Sequence, residues 1–199
     1  MRNESGSLLD IGARDRRLAV ELNSQKISYY SADLDRGHDF QVNLEAPLDL
    51  SDCAFDYVVA LDVLEHLEHI HGAFHELARI TSQKLIIALP NMGTLPRRWS
   101  YLWHGHLGTG KYDLYPEHQG DRHRWLTVYP QIKRFIESNA AQAGFMVEEV
   151  IEEIEVGVEG KVGAVIAKVG KWAIGRGLLP SGMLSGRSIY VLVRRSAKC

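Results

Sequence analysis

Cysteine is scarce in this chain of 199 residues, which has only Cys53 and Cys199. Two cysteines this far apart form neither a disulfide framework nor the paired spacing of a metal site. The sequence therefore predicts a reduced, cytoplasmic protein. The chain also has no apolar run long enough to span a bilayer and no recognisable signal peptide, so we expect neither a membrane-spanning nor a secreted protein.

The net charge is small, at −2, and it is unevenly distributed. Residues 161–199 contain eight Lys or Arg and no acidic residue, whereas the first 160 residues hold 15 basic and 25 acidic ones. An acidic main body argues against a nucleic-acid-binding protein. The basic end indicates a surface with a separate task. The length and the hydrophobic content of 45% fit one domain over residues 1–199.

Glycine is missing where a nucleotide-binding loop usually needs it. Ser7–Asp15, SLLDIGARD, has the pattern of a buried strand, a tight turn at Gly12 and the start of a helix. In a doubly wound α/β protein, this first turn is where a nucleotide-type cofactor meets backbone N–H groups. Ala13 and Arg14 stand where a second glycine would sit, so the loop by itself is a weak signal.

Hydrophobic periodicity predicts strands alternating with helices over most of the remaining chain. The predicted strands after the first are Lys26–Asp35, Phe40–Leu44, Phe55–Leu64, Lys84–Asn91, Met146–Val156 and Ser188–Arg195. The predicted helices are Arg16–Asn23, Glu65–Ile80 and Tyr129–Gly144. Two adjacent strands at the end of such a chain favour an α/β sheet closed by an antiparallel strand.

Two segments do not fit this alternation. Residues 92–128 show neither helical nor strand periodicity and are rich in aromatic residues, His, Gly and Pro. Residues 157–186 contain an amphipathic segment interrupted by glycines. We expect the first segment to be a substrate-cap insertion and the second to be an amphipathic insertion between the last two strands.

The order of these elements resembles the class I S-adenosylmethionine-dependent methyltransferase family, including its small-molecule, type 11-like members. Four segments carry the likeness: LLDIGARD, SADLD, NLEAPLDLSDCAFDYVVALDVLEHL and HELARITSQKLIIALPN. A fifth, DRHRWLTVYPQIKRFIESNAAQAGF, is similar to a segment of small methyltransferases near sugar and polysaccharide pathways. The resemblance implies a Rossmann-like α/β fold, a seven-stranded sheet in the order 3-2-1-4-5-7-6 with strand 7 antiparallel and helices on both faces.

The resemblance also implies S-adenosyl-L-methionine as the cofactor. The positions that match its binding residues are Asp10, Gly12, Ala13, Arg14, Asp33, Leu34, Asn43, Leu44, Leu61 and Asp62. Asp10 would bind the methionine ammonium, and the backbone of the loop from Gly12 to Arg14 would lie along the methionine and ribose. Asp33 would accept hydrogen bonds from both ribose hydroxyls, a task suited to an ionised carboxylate.

The remaining positions belong to the two ends of the cofactor. Asn43 stands where the family usually has an acid against the adenine amino group, and its amide oxygen could still accept a hydrogen bond. Leu44 would offer its backbone N–H to adenine. Leu61 and Asp62, at the end of the fourth strand, would face the sulfonium.

The sequence departs from the family pattern in three ways: the second loop glycine, the lid helices before the first strand and the helix between strands two and three are absent. A catalytically inactive methyltransferase-like binding domain is therefore an alternative function. A nicotinamide-dependent dehydrogenase is a weaker one, because the G-x-G-x-x-G spacing is missing. Arg14 in place of a small residue suggests a clamp on the methionine carboxylate, although a solvent-facing first-turn arginine is the other interpretation.

Two histidines are candidate catalytic bases for methyl transfer to a hydroxyl. His66 follows the fourth strand, and His123 lies in a segment that should fold back over the same end of the cofactor. Capping or ring packing is the structural alternative for both. The pairs His71/His75 and His104/His106 have metal-like spacing but lack partners of convincing spacing, so no metal is predicted.

The acceptor and partners follow from composition. Residues 92–128 combine aromatic rings with basic side chains, namely Trp99, Tyr101, Trp103, Tyr112, Tyr115, Trp125, Arg97, Arg98, Lys111, Arg122 and Arg124. Such a surface suits a sugar ring carrying phosphate, and a self-packed loop is the alternative. We expect O-methylation of a small-molecule, sugar- or lipid-linked acceptor. Residues 157–186 suggest peripheral contact with an anionic membrane, or a homodimer contact or a cover over the sheet.

Overall fold

The computed structural model describes residues 5–22, 26–114, 116–117, 122–154 and 160–195. The strands are β1 Gly6–Ile11, β2 Ile27–Asp33, β3 Phe40–Gln41, β4 Phe55–Leu61, β5 Thr81–Pro90, β6 Phe145–Ile154 and β7 Ser185–Arg194. The α-helices are α1 Arg17–Leu22, α2 Ile70–Ile80, α3 Leu95–His104, α4 Tyr129–Gln142 and α5 Gly160–Gly175. Short 3₁₀ turns occupy Leu64–His66 and Ser181–Met183.

All seven strands form one sheet in the order β3-β2-β1-β4-β5-β7-β6. Strands β1 to β5 pair in parallel, and β7 runs antiparallel to both of its neighbours. The predicted order and the antiparallel last strand are confirmed. The order reverses between β1 and β4, and the carboxyl ends of β1, β2 and β4 therefore open onto one crevice.

The central strands are buried on both faces, as their continuous apolar runs predicted. Leu9 of β1 belongs to the larger core cluster, which also contains buried side chains of α2 and α4. Its neighbour Leu8 points to the opposite face and packs with Leu22 of α1. Helices therefore cover both faces of the sheet, with the larger core under α2 and α4.

Two helix predictions need correction. The predicted helix over 65–80 begins only at Ile70, because the chain first makes a 3₁₀ turn and Leu67 is extended. Residues 92–128 are not irregular throughout, since they include α3. Leu95, Trp99, Leu102 and Trp103 stand at helical spacing on α3, and this apolar stripe is exposed rather than buried.

Helix α5 forms in the predicted amphipathic insertion, although glycines interrupt its sequence. A Cβ atom at Gly170 would overlap the Leu184 side chain, so this glycine allows the helix to approach Leu184 closely. Ala173, one turn further on, is also buried. Among the described residues, no helix is both long and apolar enough to cross a membrane.

The structure describes one of the two cysteines. Cys53 lies in the loop before β4, with its Sγ atom 3.8 Å from the Thr81 carbonyl oxygen. Cys199 lies outside the described residues.

Candidate active site

The loop after β1 depends on its one glycine for two reasons. Gly12 has a φ of 73°, a backbone conformation that side chains disfavour. A Cβ atom placed there would also lie 2.6 Å from Val63 Cγ2, in the segment that follows β4. The turn at Gly12 thus fits directly against the end of β4. Any larger residue would push these two loops apart.

Asp33, at the end of β2, organises this loop through its carboxylate. Its Oδ2 atom accepts a hydrogen bond from the Arg14 N–H at 3.1 Å, and its Oδ1 atom accepts one from the Leu34 N–H at 2.7 Å. Each carboxylate oxygen has two lone pairs, so both retain acceptor capacity. Asp33 can therefore shape the loop and still receive two ribose hydroxyls.

The backbone N–H groups of the loop serve the protein itself. Gly12 and Ala13 both donate to the Ala32 carbonyl, at 2.8 and 3.3 Å, and Arg14 donates to Asp33. These bonds differ from the expected arrangement, in which the loop N–H groups line the cofactor. Arg14 and Arg16 have positive φ values of 39° and 54°, so non-glycine residues adopt the conformations that a second glycine would ease.

Asp10 lies beneath the loop and is 7% exposed. Its Oδ2 atom accepts a hydrogen bond from the Tyr29 hydroxyl at 2.8 Å. Burial raises the pKa of Asp10, and the Tyr29 hydrogen bond opposes that shift. Burial together with Asp10 also raises the pKa of Tyr29 well above its ordinary value. The carboxylate is thus held at an energetic cost just under the crevice.

The two residues predicted to contact adenine lie in the loop after β3. Asn43 is exposed, and its Oδ1 atom accepts the Glu45 N–H at 3.0 Å. The Leu44 side chain is 7% exposed and belongs to the larger core cluster. Neither residue lines the cavity at the carboxyl ends of the strands.

Asp62, which follows β4, has a φ of 53°, an uncommon conformation for an aspartate. Its Oδ2 atom accepts a hydrogen bond from Arg187 Nη1 at 2.7 Å, while its Oδ1 atom is buried and accepts none from the described residues. Arg187 of β7 also donates two hydrogen bonds to Glu153 of β6, and this pairing raises the pKa of its guanidinium. Arg187 and Glu153, on the paired strands β7 and β6, thereby hold Asp62 in place.

These groups surround a cavity of about 850 Å³. The sequence-predicted residues that line it are Gly12, Arg14, Asp33, Leu34, Leu61, Asp62, His66 and His123. Asp10 and Ala13 lie beneath the lining, and Asn43 and Leu44 lie apart from it. The structure therefore brings together the ribose, sulfonium and histidine positions, but not the adenine positions.

Residues 122–125 join the site by docking onto the 3₁₀ turn after β4. The Arg124 N–H donates to the Glu65 carbonyl at 2.8 Å, and the Trp125 indole donates to the Leu67 carbonyl at 2.7 Å. His66 Nδ1 lies 2.9 Å from the Arg122 carbonyl. These three bonds bring His123 beside His66, with the ring centroids 4.7 Å apart and the rings perpendicular.

Glu65, His66 and His123 form a compact cluster on the cavity wall. Glu65 is fully buried, and its Oε1 atom lies 3.9 Å from His66 Nε2 and 3.8 Å from His123 Nε2. The three ligand-type atoms lie within 4.8 Å of one another. Two imidazoles and a carboxylate at this separation can share a proton or bind a cation.

The hydrogen bonds around the rings assign their proton positions. A carbonyl oxygen can only accept, so His66 must donate through Nδ1 to Arg122. The Tyr112 hydroxyl donates to the Trp125 carbonyl at 2.7 Å and therefore accepts from His123 Nδ1 at 3.1 Å. In the neutral ring, each Nε2 atom then carries a lone pair on the Glu65 side. Burial, with the negative charge of Glu65, raises the pKa of Tyr112 to about 12.

The predicted cap reaches the cavity with fewer residues than expected. From residues 92–128, the cavity is lined by Met92, Arg97, Thr109, Lys111 and His123. The aromatic residues of α3 do not line it. Trp99 and Trp103 stack on each other with centroids 4.6 Å apart, and both are mostly exposed. Tyr115 lies outside the described residues.

Two residues of the site, Glu65 and Arg187, were not predicted, and Tyr112 was predicted only as an aromatic residue of the cap. Glu65 stands in the same LEH triplet as His66, so the acid next to a candidate base was an available signal. Tyr112 and Arg187 carry no such signal. Their roles depend on the fold of the cap and on the pairing of β7 with β6.

The fold and crevice define a class: the sheet order, the acid at the end of β2 and the cavity over β1 and β4 are those of the Rossmann-like methyltransferases. The methyltransferase domain family matches residues 1–150. The chain therefore belongs to this family and is an S-adenosylmethionine-dependent methyltransferase. A comparison with curated protein sequences finds no match.

Solved structures share the fold at low sequence identity. A Methanosarcina mazei S-adenosylmethionine-dependent methyltransferase has a TM-score of 0.56 and 11% identity, covering 96% of this chain and 93% of that chain. Synechocystis PCC 6803 magnesium protoporphyrin IX methyltransferase, with bound S-adenosylhomocysteine, has a TM-score of 0.55 and 16% identity, and the match covers 96% of this chain and 74% of that chain. A complex of the Haloferax volcanii Trm112 methyltransferase activator with a methyltransferase gives a TM-score of 0.58 and 16% identity, and the match covers 98% of this chain and 84% of that chain.

Proposed function

We propose that this methyltransferase transfers its methyl group to a hydroxyl of a small-molecule acceptor bound against the Glu65–His66–His123 cluster. The observation that carries the proposal is the convergence of two Nε2 atoms on one buried carboxylate at the cavity wall. The cofactor ribose would bind Asp33, and the sulfonium would face Leu61 and Asp62. The acceptor would then lie between the sulfonium and the cluster.

A hydroxyl acceptor makes this cluster useful. Methyl transfer from a sulfonium is an in-line displacement, so alignment supplies much of the rate. The acceptor oxygen forms a bond to the methyl carbon as the carbon–sulfur bond breaks, and the cofactor leaves as S-adenosylhomocysteine. The hydroxyl proton must go to a base, and a histidine Nε2 lone pair is correctly placed to receive it.

Arg97 and Lys111 support an acceptor that carries negative charge. Both line the cavity and belong to the cap, as His123 does. A guanidinium and an ammonium can bind a phosphate or carboxylate of the acceptor. A sugar phosphate or a lipid-linked sugar fits this description. The mostly exposed α3 aromatics support stacking only outside the cavity.

Arg14 is proposed to bind the methionine carboxylate of the cofactor. It is exposed at the cavity edge beside Asp33, and its backbone is fixed by the Asp33 hydrogen bond. Because this bond uses the backbone N–H, Arg14→Ala leaves it intact. The substitution should weaken S-adenosylhomocysteine binding by about tenfold, the effect of losing one charged hydrogen-bond pair. An unchanged dissociation constant would contradict the clamp.

The acceptor class can be tested with labelled cofactor and matched acceptors. We would incubate the chain with methyl-labelled S-adenosylmethionine and a nucleotide sugar, an alkyl glycoside or an alkyl amine, and identify products by mass spectrometry. A methyl ether on a hydroxyl acceptor is expected. Methylation confined to the amine would overturn the proposal, because an amine needs no buried base to attack.

The cluster can be tested by separating catalysis from cofactor binding. His66→Gln or His123→Gln should lower kcat by about 10²–10⁴-fold, the usual contribution of a general base. Binding of S-adenosylhomocysteine should stay within about twofold, since neither ring is proposed to hold the cofactor. His75→Gln, on α2, is the matched control and should behave as the wild type. Equal losses in all three variants would contradict the proposed role.

Helix α5 supports contact with an apolar partner. Val165, Val169 and Trp172 lie on one face of the helix, at helical spacing, and each is more than half exposed. Lys168 is exposed beside them, and the Arg176 guanidinium lies 5.2 Å from the Trp172 ring. An anionic lipid surface or a second copy of the chain would fit this stripe. Salt-sensitive sedimentation with anionic liposomes would support the first, and a dimer abolished by Val169→Glu would support the second.

A further inference from the structure

The Glu65–His66–His123 cluster has a second chemical capacity besides accepting a proton. One carboxylate oxygen and two imidazole nitrogens lie within 4.8 Å of one another, where residues 122–125 dock onto the 3₁₀ turn after β4. Glu65 is fully buried, and the His123 and His66 side chains are 8% and 23% exposed. A fixed, largely buried set of two nitrogens and one oxygen is a typical set of ligands for a divalent transition metal.

Both histidines are oriented as metal ligands are. Each donates its Nδ1 proton to a neighbouring oxygen, His66 to the Arg122 carbonyl and His123 to the Tyr112 hydroxyl. Such outer hydrogen bonds fix the tautomer and direct the Nε2 lone pair toward the ion. The Tyr112 hydroxyl is itself held by the Trp125 carbonyl. The structure thus supplies the ligands and the groups that orient them.

We infer that Glu65, His66 and His123 bind one divalent transition-metal ion, with Zn²⁺, Mn²⁺ and Fe²⁺ as the fitting class. Ligand atoms around such an ion lie about 3.0–3.4 Å apart when the bonds are about 2.1 Å long. The separations of 3.8 and 3.9 Å from Glu65 therefore close by less than about 1 Å on binding. This inference replaces the sequence-based prediction of no metal. That prediction was made from histidine pairs that are close together in the chain.

Three protein ligands leave open positions on the cavity side of the ion. Asp62 lies on the same cavity wall, and its buried Oδ1 atom accepts no hydrogen bond from the part of the chain that the structure describes, which adds negative potential there. A hydroxyl bound at an open position would lose its proton more readily, since a divalent cation lowers the pKa of a bound oxygen acid. The proton would then leave to solvent, because with the ion bound both Nε2 atoms are ligands and neither accepts it. This last step rests on the proposed O-methylation, whereas binding of the ion does not.

The test is a cobalt titration of the full chain without cofactor or acceptor. Protein stripped with a chelator should bind one Co²⁺ per chain, with the visible absorption of a nitrogen- and oxygen-ligated ion, and Zn²⁺ should displace it. Glu65→Gln, His66→Gln and His123→Gln should each weaken binding by at least about 100-fold. Tyr112→Phe should weaken it by about 10-fold, because it removes only the group that orients His123.

Two controls keep the outcome decisive. His71→Gln/His75→Gln removes a histidine pair of helical spacing outside the cluster and should leave cobalt binding unchanged. Calorimetry with S-adenosylhomocysteine tests whether each variant is folded. A variant that still binds S-adenosylhomocysteine but has lost cobalt binding assigns its substituted residue to the metal site. Absence of stoichiometric cobalt from the wild type, or unchanged binding in the three ligand variants, overturns the inference. Failure of the acceptor assay would leave it standing.

Discussion

Asp33 is expected to contribute more to cofactor binding than any other single side chain in the crevice. Its two carboxylate oxygens already accept the N–H groups of Arg14 and Leu34, at 3.1 and 2.7 Å. Two lone pairs remain for the ribose hydroxyls. Asp33→Asn is the informative change because it keeps the shape of the side chain and removes its charge.

The magnitude follows from the hydrogen bonds. An amide has one accepting oxygen, so its NH₂ group must face either a backbone N–H or a ribose hydroxyl. Asp33→Asn therefore loses at least one hydrogen bond to a charged group, worth about 1.5–3 kcal/mol. The dissociation constant of S-adenosylhomocysteine should rise by about 10- to 150-fold. Asp33→Ala loses both bonds and should raise it by more than about 100-fold.

Isothermal titration calorimetry with S-adenosylhomocysteine measures this directly. Asp15→Asn is the matched control, since Asp15 is an exposed acid on the same loop that does not line the cavity. It makes the same change in net charge and should leave the affinity within about twofold. If Asp33→Asn also stays within twofold of the wild type, the ribose does not bind Asp33, and the proposed cofactor orientation is wrong.

Three further predictions concern stability. Gly12→Ala should destabilise the fold by about 2 kcal/mol and lower Tm by about 4–8 °C in a thermal melt. The reason is that Gly12 has a positive φ and that a Cβ atom there would overlap Val63. An unchanged Tm would refute the strain argument. Asp10→Asn removes a buried carboxylate whose pKa is raised, and it keeps an oxygen that can accept the Tyr29 hydrogen bond. Tm should therefore rise by about 2–4 °C, while the affinity for S-adenosylhomocysteine should fall. A lower Tm would contradict this reasoning. The pKa of Asp56 is lowered, chiefly because its carboxylate accepts a hydrogen bond from the Ser7 N–H of β1. The contribution of Asp56 to stability is therefore present above about pH 4 and lost as pH falls below that value. Asp56→Asn should flatten that acid-side slope in urea unfolding, and an unaltered slope would count against the argument.

The sequence was sufficient for the sheet and for the part of the site that lies on it. Strand β4 carries a continuous apolar run that Asp62 follows directly, and Asp33 ends β2, so the positions of both acids were predictable. The adenine positions, Asn43 and Leu44, stay predictions. The loop after β3 is short, and it places Leu44 in the core and Asn43 at the surface.

What the sequence could not supply is contact between distant segments. His123 reaches His66 because three hydrogen bonds dock residues 122–125 onto the turn after β4. Arg187 reaches Asp62 because β7 returns antiparallel beside β5. Neither approach leaves a local pattern in the chain. Helix α3 was missed although Leu95, Trp99, Leu102 and Trp103 stand at helical spacing, and this stripe is exposed in the structure.

A crystal structure with S-adenosylhomocysteine bound tests the central claim most directly. The account predicts both ribose hydroxyls within hydrogen-bond distance of the Asp33 carboxylate. It also predicts the sulfur between Asp62 and the Glu65–His66–His123 cluster. A product bound with its sulfur away from His66 and His123, or with its ribose away from Asp33, would contradict the account.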